Sequence, residues 1–374
     1  MGFIDADAHG VETNRQTWSH FDPKEKEYAP PESGPWMFDG GVRSLGSLEE
    51  RIEGEKVRGV DKQTLSFYPS GARDLSNVPV RLKHMDELGV DVQVLFSSFW
   101  LIDPVQDPVR EAAMARSYNR WAAMGCAPSK GRLRWMIKVP GRIMERAFEE
   151  LEFGAKNGAA GSELTGYKYN IAPGHPYWYP LYERCQDLGL CVAFHIGASQ
   201  QDYAPNPRDT HYRTIGRVPG AYASLIAYDV PHRFPKLQFS FCEAGSTWAA
   251  AQLQQCFRGK TDATERYAGN DWRKLAKNYL AETGNMNVAC YMDDDIEYSA
   301  QICGDDRLML GTDYTHFDVG SDPDGLRIVA RRSDLRKELR VKMLDINPRK
   351  CYGIPLDFKP ADAHKSAELA LAGR

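Results

Sequence analysis

Short runs of apolar residues recur along the chain, and segments with helical spacing separate most of them. The runs span residues 2–9, 90–99, 133–140, 158–164, 189–197, 237–245, 288–293 and 307–314. Most of these runs are unbroken, which is typical of parallel strands covered on both faces. The helical segments between them supply the crossover connections of such a sheet. Eight units in 374 residues predict an α/β fold, a (β/α)8 TIM barrel, with a doubly wound sheet as the alternative.

One connection is much longer than the others. Residues 10–79 lie between the first strand and its helix, and they are rich in aromatic residues, proline and glycine. Long connections in compact domains are usually functional or disordered, and the aromatic content argues against disorder. We therefore expect a single domain of residues 1–357 in which this insertion is a lid over the barrel mouth or a subunit contact. Residues 358–374 are expected to form a peripheral arm.

Charge and composition argue against several classes of partner. A formal net charge of -4 disfavours nucleic acid or an anionic membrane as the main partner. The sequence has no apolar run of about 18 residues that would predict a transmembrane helix. A basic region followed by an apolar core is absent from the N-terminus, so no export signal is expected. The eight cysteines form no C-x-x-C pair, which is typical of reduced thiols in a cytoplasmic protein.

Polar side chains stand near the ends of several predicted strands, where a TIM barrel places its chemistry. They are Asp7 and His9 on the first strand, Glu163 on the fourth, His195 on the fifth, Glu243 on the sixth and Asp313 on the eighth. Each alone is more often a hydrogen-bonded core residue or a helix cap. Together, imidazoles and carboxylates from five strand ends predict a divalent-metal site.

Strand alternation gives an expected phase for these side chains. Asp5 should share one face of the first strand with Asp7 and His9, a layer deeper, as a hydrogen-bonding support. By the same rule, Glu243 should share the inner face of its strand with Phe241. Both expectations assume that the alternation is unbroken.

Four stretches resemble the amidohydrolase superfamily: "DADAH" on the first strand, "FHIG" on the fifth, "FCEAG" on the sixth and "LGTDYTH" on the eighth. Similarity is strongest to the amidohydrolase-2 branch, which contains aminocarboxymuconate-semialdehyde and resorcylate-type decarboxylases, and "INPRKCYGI" near the end supports it. The resemblance implies a (β/α)8 barrel with a divalent metal at its mouth. It also implies that Asp7, His9, His195 and Asp313 are ligands.

The chain departs from the family pattern at three places. The first strand carries D-x-H where many members carry H-x-H, and Glu243 stands where many decarboxylases have a histidine. Glu163 stands where two-metal members place a bridging carboxylate or carboxylated lysine. Such a carboxylate-rich set favours Mn or Fe, or a second ion, over a typical zinc site. We therefore expect Zn, Mn or Fe, with one or two ions bound.

The first hypothesis is a metal-dependent lyase or hydrolase that acts on a small, carboxylated substrate. It would act by decarboxylation or by attack of a metal-activated hydroxide. Asp313 is the natural general base, Glu243 would position or protonate the substrate, and His316 would support Asp313. Arg208 and Trp100 are the expected substrate contacts.

Two alternatives stay open at this point. One is a dinuclear Fe or Mn/Fe oxygenase that hydroxylates a small substrate, with Glu163 bridging the two ions. The other is a non-catalytic partner subunit that keeps the fold. Family members often pair, so the resemblance also implies a homo-oligomer, with a dimer as the expected form.

Overall fold

The computed structural model describes residues 2–30, 35–38, 41–44, 67–98, 101, 105–197, 214–258, 272–317 and 320–358. The strands are β1 (Ile4–Gly10), β2 (Pro35–Phe38), β3 (Gly41–Ser44), β4 (Val92–Ser97), β5 (Leu133–Lys138), β6 (Ala159–Thr165), β7 (Cys191–His195), β8 (Phe239–Phe241), β9 (Met286–Cys290) and β10 (Leu308–Leu310). Every predicted apolar run overlaps one strand of an eight-stranded parallel sheet. The α/β prediction is confirmed.

Helices connect the strands and cover the outside of the sheet. They are α1 (Asn14–Trp18), α2 (Val78–Leu88), α3 (Pro108–Cys126), α4 (Met144–Lys156), α5 (Tyr179–Asp187), α6 (Arg217–Ala227), α7 (Val230–Arg233), α8 (Trp248–Phe257), α9 (Trp272–Thr283), α10 (Ile296–Cys303), α11 (Gly325–Arg331), α12 (Lys337–Val341) and α13 (Asn347–Cys351). Helix α2 ends at Gly89, whose φ of 74° is the left-handed cap conformation that glycine adopts readily. Among the described residues, every helix is too short or too polar to cross a lipid bilayer.

Hydrogen bonds between the last and the first strand segments complete the barrel. The strand order is β1-β4-β5-β6-β7-β8-β9-β10. The Asp313 amide donates to the Asp7 carbonyl at 2.8 Å, and the His9 amide donates to the Tyr314 carbonyl at 2.9 Å. These bonds return the chain to β1, so the sheet is a (β/α)8 TIM barrel. A doubly wound sheet, which leaves two open edges, is wrong for this chain.

Apolar side chains fill the barrel below its mouth. Ile4, Val94, Met136, Ala193 and Met309 belong to this interior cluster. The segment after α13 covers the opposite end, where the Tyr352 hydroxyl donates to the Ala6 carbonyl at 2.8 Å. The eight cysteines carry free thiols, as the sequence predicted. A filled interior leaves the carboxyl ends of the strands as the place for chemistry.

The described parts of the insertion at 10–79 pack beside the loop that follows β10. The Tyr68 hydroxyl donates to the His316 carbonyl at 3.3 Å, and the Arg73 guanidinium donates to the Thr315 carbonyl at 2.8 Å. The insertion also holds the antiparallel β2–β3 hairpin, which the sequence did not predict. The lid stays a prediction. So does the C-terminal arm, of which only Phe358 is described.

Candidate metal centre

Five of the predicted ligand residues meet at the barrel mouth: Asp7 and His9 on β1, His195 on β7, Glu243 after β8 and Asp313 after β10. His195 Nε2 lies 3.3 Å from Asp7 Oδ1 and 3.2 Å from Glu243 Oε2. His9 Nε2 lies 3.2 Å from Asp313 Oδ1 and 3.7 Å from Asp7 Oδ1. All five residues are buried. Ligand atoms from four strand ends therefore surround one small space.

A β-bulge points Asp7 and His9 into the mouth. The register of β1 against β4 slips by one residue between Asp5 and Ala8. Ile4 packs inside the barrel before the slip, whereas Asp7 and His9 face the centre after it. An extra residue in a strand reverses the alternation that follows. The expectation that Asp5 shares a face with Asp7 and His9 is therefore wrong.

Left-handed backbone conformations aim the other two carboxylates. Glu243 has a φ of 55° and Asp313 a φ of 51°. On β8, Phe241 packs in the outer core and Cys242 in the barrel interior, so continued alternation would point Glu243 outward. The turn at Glu243 brings its side chain back to His195, and the predicted shared face with Phe241 is wrong. Left-handed non-glycine residues are strained and cluster at functional sites.

Backbone carbonyls orient the two imidazoles. His9 Nδ1 lies 2.9 Å from the Ser97 carbonyl, and His195 Nδ1 lies 2.9 Å from the Ile196 carbonyl. A carbonyl accepts a hydrogen bond, so the proton of each neutral ring resides on Nδ1. The lone pair of each Nε2 then points at the carboxylates. This is the arrangement of histidines that bind metals in proteins.

Three atoms in this space test whether a cation fits. Asp7 Oδ1, His9 Nε2 and His195 Nε2 are buried and have no hydrogen-bond partner within the described chain. Buried polar atoms without partners are rare because each costs free energy. The donor atoms of Asp7, His9 and His195 lie within 4.8 Å of one another. A set of imidazole nitrogens and carboxylate oxygens suits Zn, Mn or Fe.

Burial and mutual charge set the protonation of these groups. Burial lowers the pKa of His9, and the neighbouring His316 lowers it further, which favours the neutral ring that can bind a metal. Burial alone would raise the pKa of Asp313, but His316 and His9 hold it well below its usual range. Burial alone would lower the pKa of His195, but Asp7 raises it above its usual value. The centre therefore offers the neutral ring of His9 and the ionised carboxylate of Asp313 to a cation.

His316 lies at the edge of the centre and is buried rather than on a surface loop. Its ring stacks on His9 with centroids 3.8 Å apart, and its Nδ1 lies 2.8 Å from Asp313 Oδ1. Its Nε2 lies 2.7 Å from Ser98 Oγ. His316 therefore connects Asp313 to a hydroxyl beside the mouth, which is the position of a proton-transfer partner.

Asp5 supports the centre from behind. Its carboxylate accepts hydrogen bonds from the Thr312 amide at 3.0 Å, the Thr312 hydroxyl at 2.5 Å and the Asp7 amide at 3.3 Å. Gln93 donates a further hydrogen bond at 3.2 Å. Burial raises the pKa of Asp5 to about 7, although the Thr312 bonds lower it. Asp5 thus holds together the residue before Asp313 and the backbone of Asp7.

Glu163 forms an ion pair with Lys138, which is not one of the five converging residues. Its Oε1 is 2.5 Å from the Lys138 ammonium, and its carboxylate also accepts from the Ser97 amide and hydroxyl. Burial alone would raise the pKa of Glu163, but Lys138 and His195 hold it below its usual value. Within the described chain, the two groups of potential metal ligands are Asp7, His9 and His195, and His9, Asp313 and His316, and they include neither Glu163 nor Glu243. The structure therefore places this predicted ligand in an ion pair.

The sequence reasoning missed Lys138 and Ser97. Lys138 is the last residue of β5, and its position at a strand end was the signal that could have found it. Ser97 acts partly through its backbone, which no sequence pattern reveals. The predicted substrate contacts Trp100 and Arg208 lie outside the described residues.

Comparisons with known proteins give the same architecture. A family model described as Amidohydrolase matches residues 4–354. An amidohydrolase structure from Mycobacterium avium subsp. paratuberculosis K-10 has a TM-score of 0.70 at 19% identity, covering 94% of this chain and 99% of that chain. Curated proteins give no sequence match.

Two enzymes of known structure have the same fold. A 5-carboxyvanillate decarboxylase from Novosphingobium aromaticivorans, complexed with manganese and 4-hydroxy-3-methoxy-5-nitrobenzoic acid, has a TM-score of 0.59 at 18% identity, covering 82% of this chain and 93% of that chain. A 4-oxalomesaconate hydratase from Rhodopseudomonas palustris has a TM-score of 0.57 at 17% identity, covering 99% of this chain and 98% of that chain. Likeness at this level shows a shared fold, and one fold can host different reactions.

Proposed function

This chain belongs to the amidohydrolase family, and from that premise we propose that it is a metal-dependent lyase or hydrolase of a small, carboxylated organic substrate. One observation carries the proposal. Buried ligand atoms of Asp7, His9 and His195 have no hydrogen-bond partner in the described chain, and they lie beside the buried carboxylate of Asp313 at the barrel mouth. A purely structural barrel would have no reason to hold such atoms there.

Asp7, His9, His195 and Asp313 would hold the ion, and Glu243 lies close enough to His195 to join them. A bound divalent cation supplies Lewis acidity that stabilises negative charge developing on substrate oxygens. The mixed nitrogen and oxygen donors suit manganese, which the decarboxylase from Novosphingobium aromaticivorans binds. Zinc and iron are the other ions that this donor set can take.

Proton transfer would use Asp313 and His316. Their 2.8 Å contact couples the two groups, and the 2.7 Å contact with Ser98 Oγ continues the path away from the centre. A decarboxylase must deliver a proton to the carbon that loses CO2, whereas a hydrolase must remove one from water. The same pair can do either, because an imidazole in contact with a carboxylate can act as a general acid or as a general base.

We favour a lyase over a hydrolase, because a decarboxylase and a hydratase have this fold and both are lyases. The dinuclear oxygenase is not proposed, because the carboxylate of Glu163 is already paired with Lys138 and Ser97. A non-catalytic subunit would leave the aimed imidazoles of His9 and His195 without a purpose.

The proposal is tested by metal content followed by a substrate screen. Protein purified without chelator is analysed for Zn, Mn and Fe, and then incubated with aromatic and unsaturated carboxylic acids. We expect metal in the protein and release of CO2, or addition of water, from at least one acid. If the variant Asp313→Asn loses both the bound metal and the reaction, the reaction takes place at this centre. Protein that takes up no divalent ion, even at millimolar Mn2+, Zn2+ or Fe2+, overturns the proposal and favours the non-catalytic subunit.

A further inference from the structure

We propose that the Lys138–Glu163 ion pair occupies the place of a second cation, so that the centre holds one divalent ion. The proposal rests on the proposed function, since it concerns the number of ions at the same site. It also assigns Glu163 a positioning role toward His9. Neither Lys138 nor Glu163 then serves as a metal ligand.

The first step is that Glu163 has little capacity left for a metal. Lys138 Nζ lies 2.5 Å from Oε1. The Ser97 hydroxyl lies 3.2 Å from Oε1 and 3.3 Å from Oε2, and the Ser97 amide lies 3.2 Å from Oε2. Both carboxylate oxygens are therefore in use within the protein.

The second step is electrostatic. Glu163 and Lys138 are 2% and 5% exposed, so each buried charge needs a partner of opposite sign. The ammonium of Lys138 neutralises Glu163 without any ion from solution. A second metal at Glu163 would have to displace Lys138 and separate a buried ammonium from the carboxylate that it contacts at 2.5 Å, which is costly.

The third step links the ion pair to the centre. Glu163 holds the amide and the hydroxyl of Ser97, and the carbonyl of Ser97 lies 2.9 Å from His9 Nδ1. The ring of His9 is oriented by that carbonyl. Glu163 is thus a positioning residue that acts on His9 through Ser97, and groups in this role typically change metal affinity when they are replaced.

The test counts ions. Chelator-treated wild-type protein, Glu163→Gln, Lys138→Met and the double variant are saturated with Mn2+, dialysed and analysed by elemental analysis and EPR. Lys83 and Glu87 form an exposed ion pair on α2, 3.8 Å apart, and the same substitutions there are the matched control. We expect one Mn2+ per chain in the wild type and the controls, with the EPR spectrum of an isolated ion.

The variants should separate the two roles. Glu163→Gln should keep one ion but bind it about tenfold or more weakly, because the support of His9 through Ser97 is lost. Lys138→Met should bind a second ion at saturation, since Glu163 then has no internal counter-charge. The double variant removes both charges, so it leaves no buried charge without its partner. It should again bind one ion. It also keeps the test valid if Lys138→Met fails to fold.

The contrary outcomes are distinct. Two ions in the wild type, or one ion in a folded Lys138→Met, overturn the role of Lys138 while leaving the proposed function intact. Complete loss of metal in folded Glu163→Gln makes Glu163 a ligand and also overturns the inference. Wild-type affinity in Glu163→Gln overturns its positioning role. Wild-type protein that binds no ion at all overturns the proposed function itself.

Discussion

Two arcs of the barrel mouth carry similar residues and use them differently. The ligand arc consists of the ends of β7, β8, β10 and β1, where the buried side chains of His195, Glu243, Asp313, Asp7 and His9 lie in contact with one another. The ion-pair arc consists of the ends of β4, β5 and β6, where Glu163 is saturated by Lys138 and Ser97. The position of a carboxylate at a strand end therefore does not make it a metal ligand. Whether it can bind a metal depends on whether another protein group already neutralises it.

The largest expected effect follows from breaking the ligand arc. His9→Ala and Asp313→Asn should each reduce bound metal or turnover by several orders of magnitude, because the first removes a donor nitrogen and the second removes the negative charge and the basicity of a carboxylate at the centre. The fold should persist, since the apolar interior lies below these residues. Metal analysis, activity and circular dichroism check this. His232→Ala, at a half-exposed histidine on α7, is the control, and wild-type turnover in either site variant would contradict the centre.

The ion-pair arc should show its effect in stability. Removing one partner of a buried ion pair costs about 3–5 kcal/mol, because it leaves an uncompensated charge. We expect Glu163→Ala and Lys138→Met each to lower the free energy of unfolding by that amount. The double variant Lys138→Met with Glu163→Leu should regain most of the lost free energy. Urea unfolding of the metal-free wild type, single variants and double variant measures these free energies and completes a double-mutant cycle.

The exposed Lys83–Glu87 pair serves as the control for this double-mutant cycle. The coupling free energy between Lys83 and Glu87 should be below about 1 kcal/mol, because solvent screens exposed ion pairs. Equal coupling in the two cycles would show that burial at the ion-pair arc does not matter, contrary to the contrast between the two arcs.

His316 should separate proton transfer from metal binding. His316→Gln is expected to lower turnover about a hundredfold, the usual contribution of a general acid or base, with metal content close to wild type. Loss of metal as severe as in His9→Ala would instead make His316 a ligand, which its 2.8 Å contact with Asp313 also allows.

The smallest effect concerns the support behind the ligand arc. Asp5→Asn replaces an acceptor by an amide that opposes the donors of Thr312 and Asp7. We expect metal affinity to fall about tenfold, as when other groups that orient ligands are removed. Competition with a fluorescent chelator measures it. Asp91→Asn removes a buried carboxylate that accepts from the Phe3 amide at 3.0 Å, and it should leave metal affinity unchanged.

Much of the fold could be predicted because apolar runs are a local property. Each of the eight runs contains or overlaps a strand. Helix α2 ends at Gly89, which adopts the left-handed φ of 74° that glycine allows at a helix end. The residues that converge at the mouth could also be identified, since strand ends of a parallel barrel meet at one face. The β2–β3 hairpin was missed although the sequence carries a signal for it, since the dipeptide Asp39-Gly40 between Pro35–Phe38 and Gly41–Ser44 is typical of a two-residue hairpin turn.

The directions of the side chains could not all be predicted, since small backbone irregularities change them. Alternation holds along β7, where Cys191 and Ala193 lie in the interior and His195, two residues further, points to the centre. It failed for Asp5, because one extra residue in β1 reverses the faces. It also failed for Glu243, because a left-handed φ of 55° turns the side chain inward. Both irregularities arise from long-range packing.

The sequence by itself determined the strand count, the barrel and the supply of imidazoles and carboxylates at the mouth. Tertiary structure alone decided which of those carboxylates already has a partner. Glu163 and Asp313 look alike at strand ends, but Lys138 comes from the neighbouring strand β5 and reaches only Glu163 among them. The physical reason is that a buried charge must be compensated by the nearest opposite charge, and only the folded chain sets which charge is nearest.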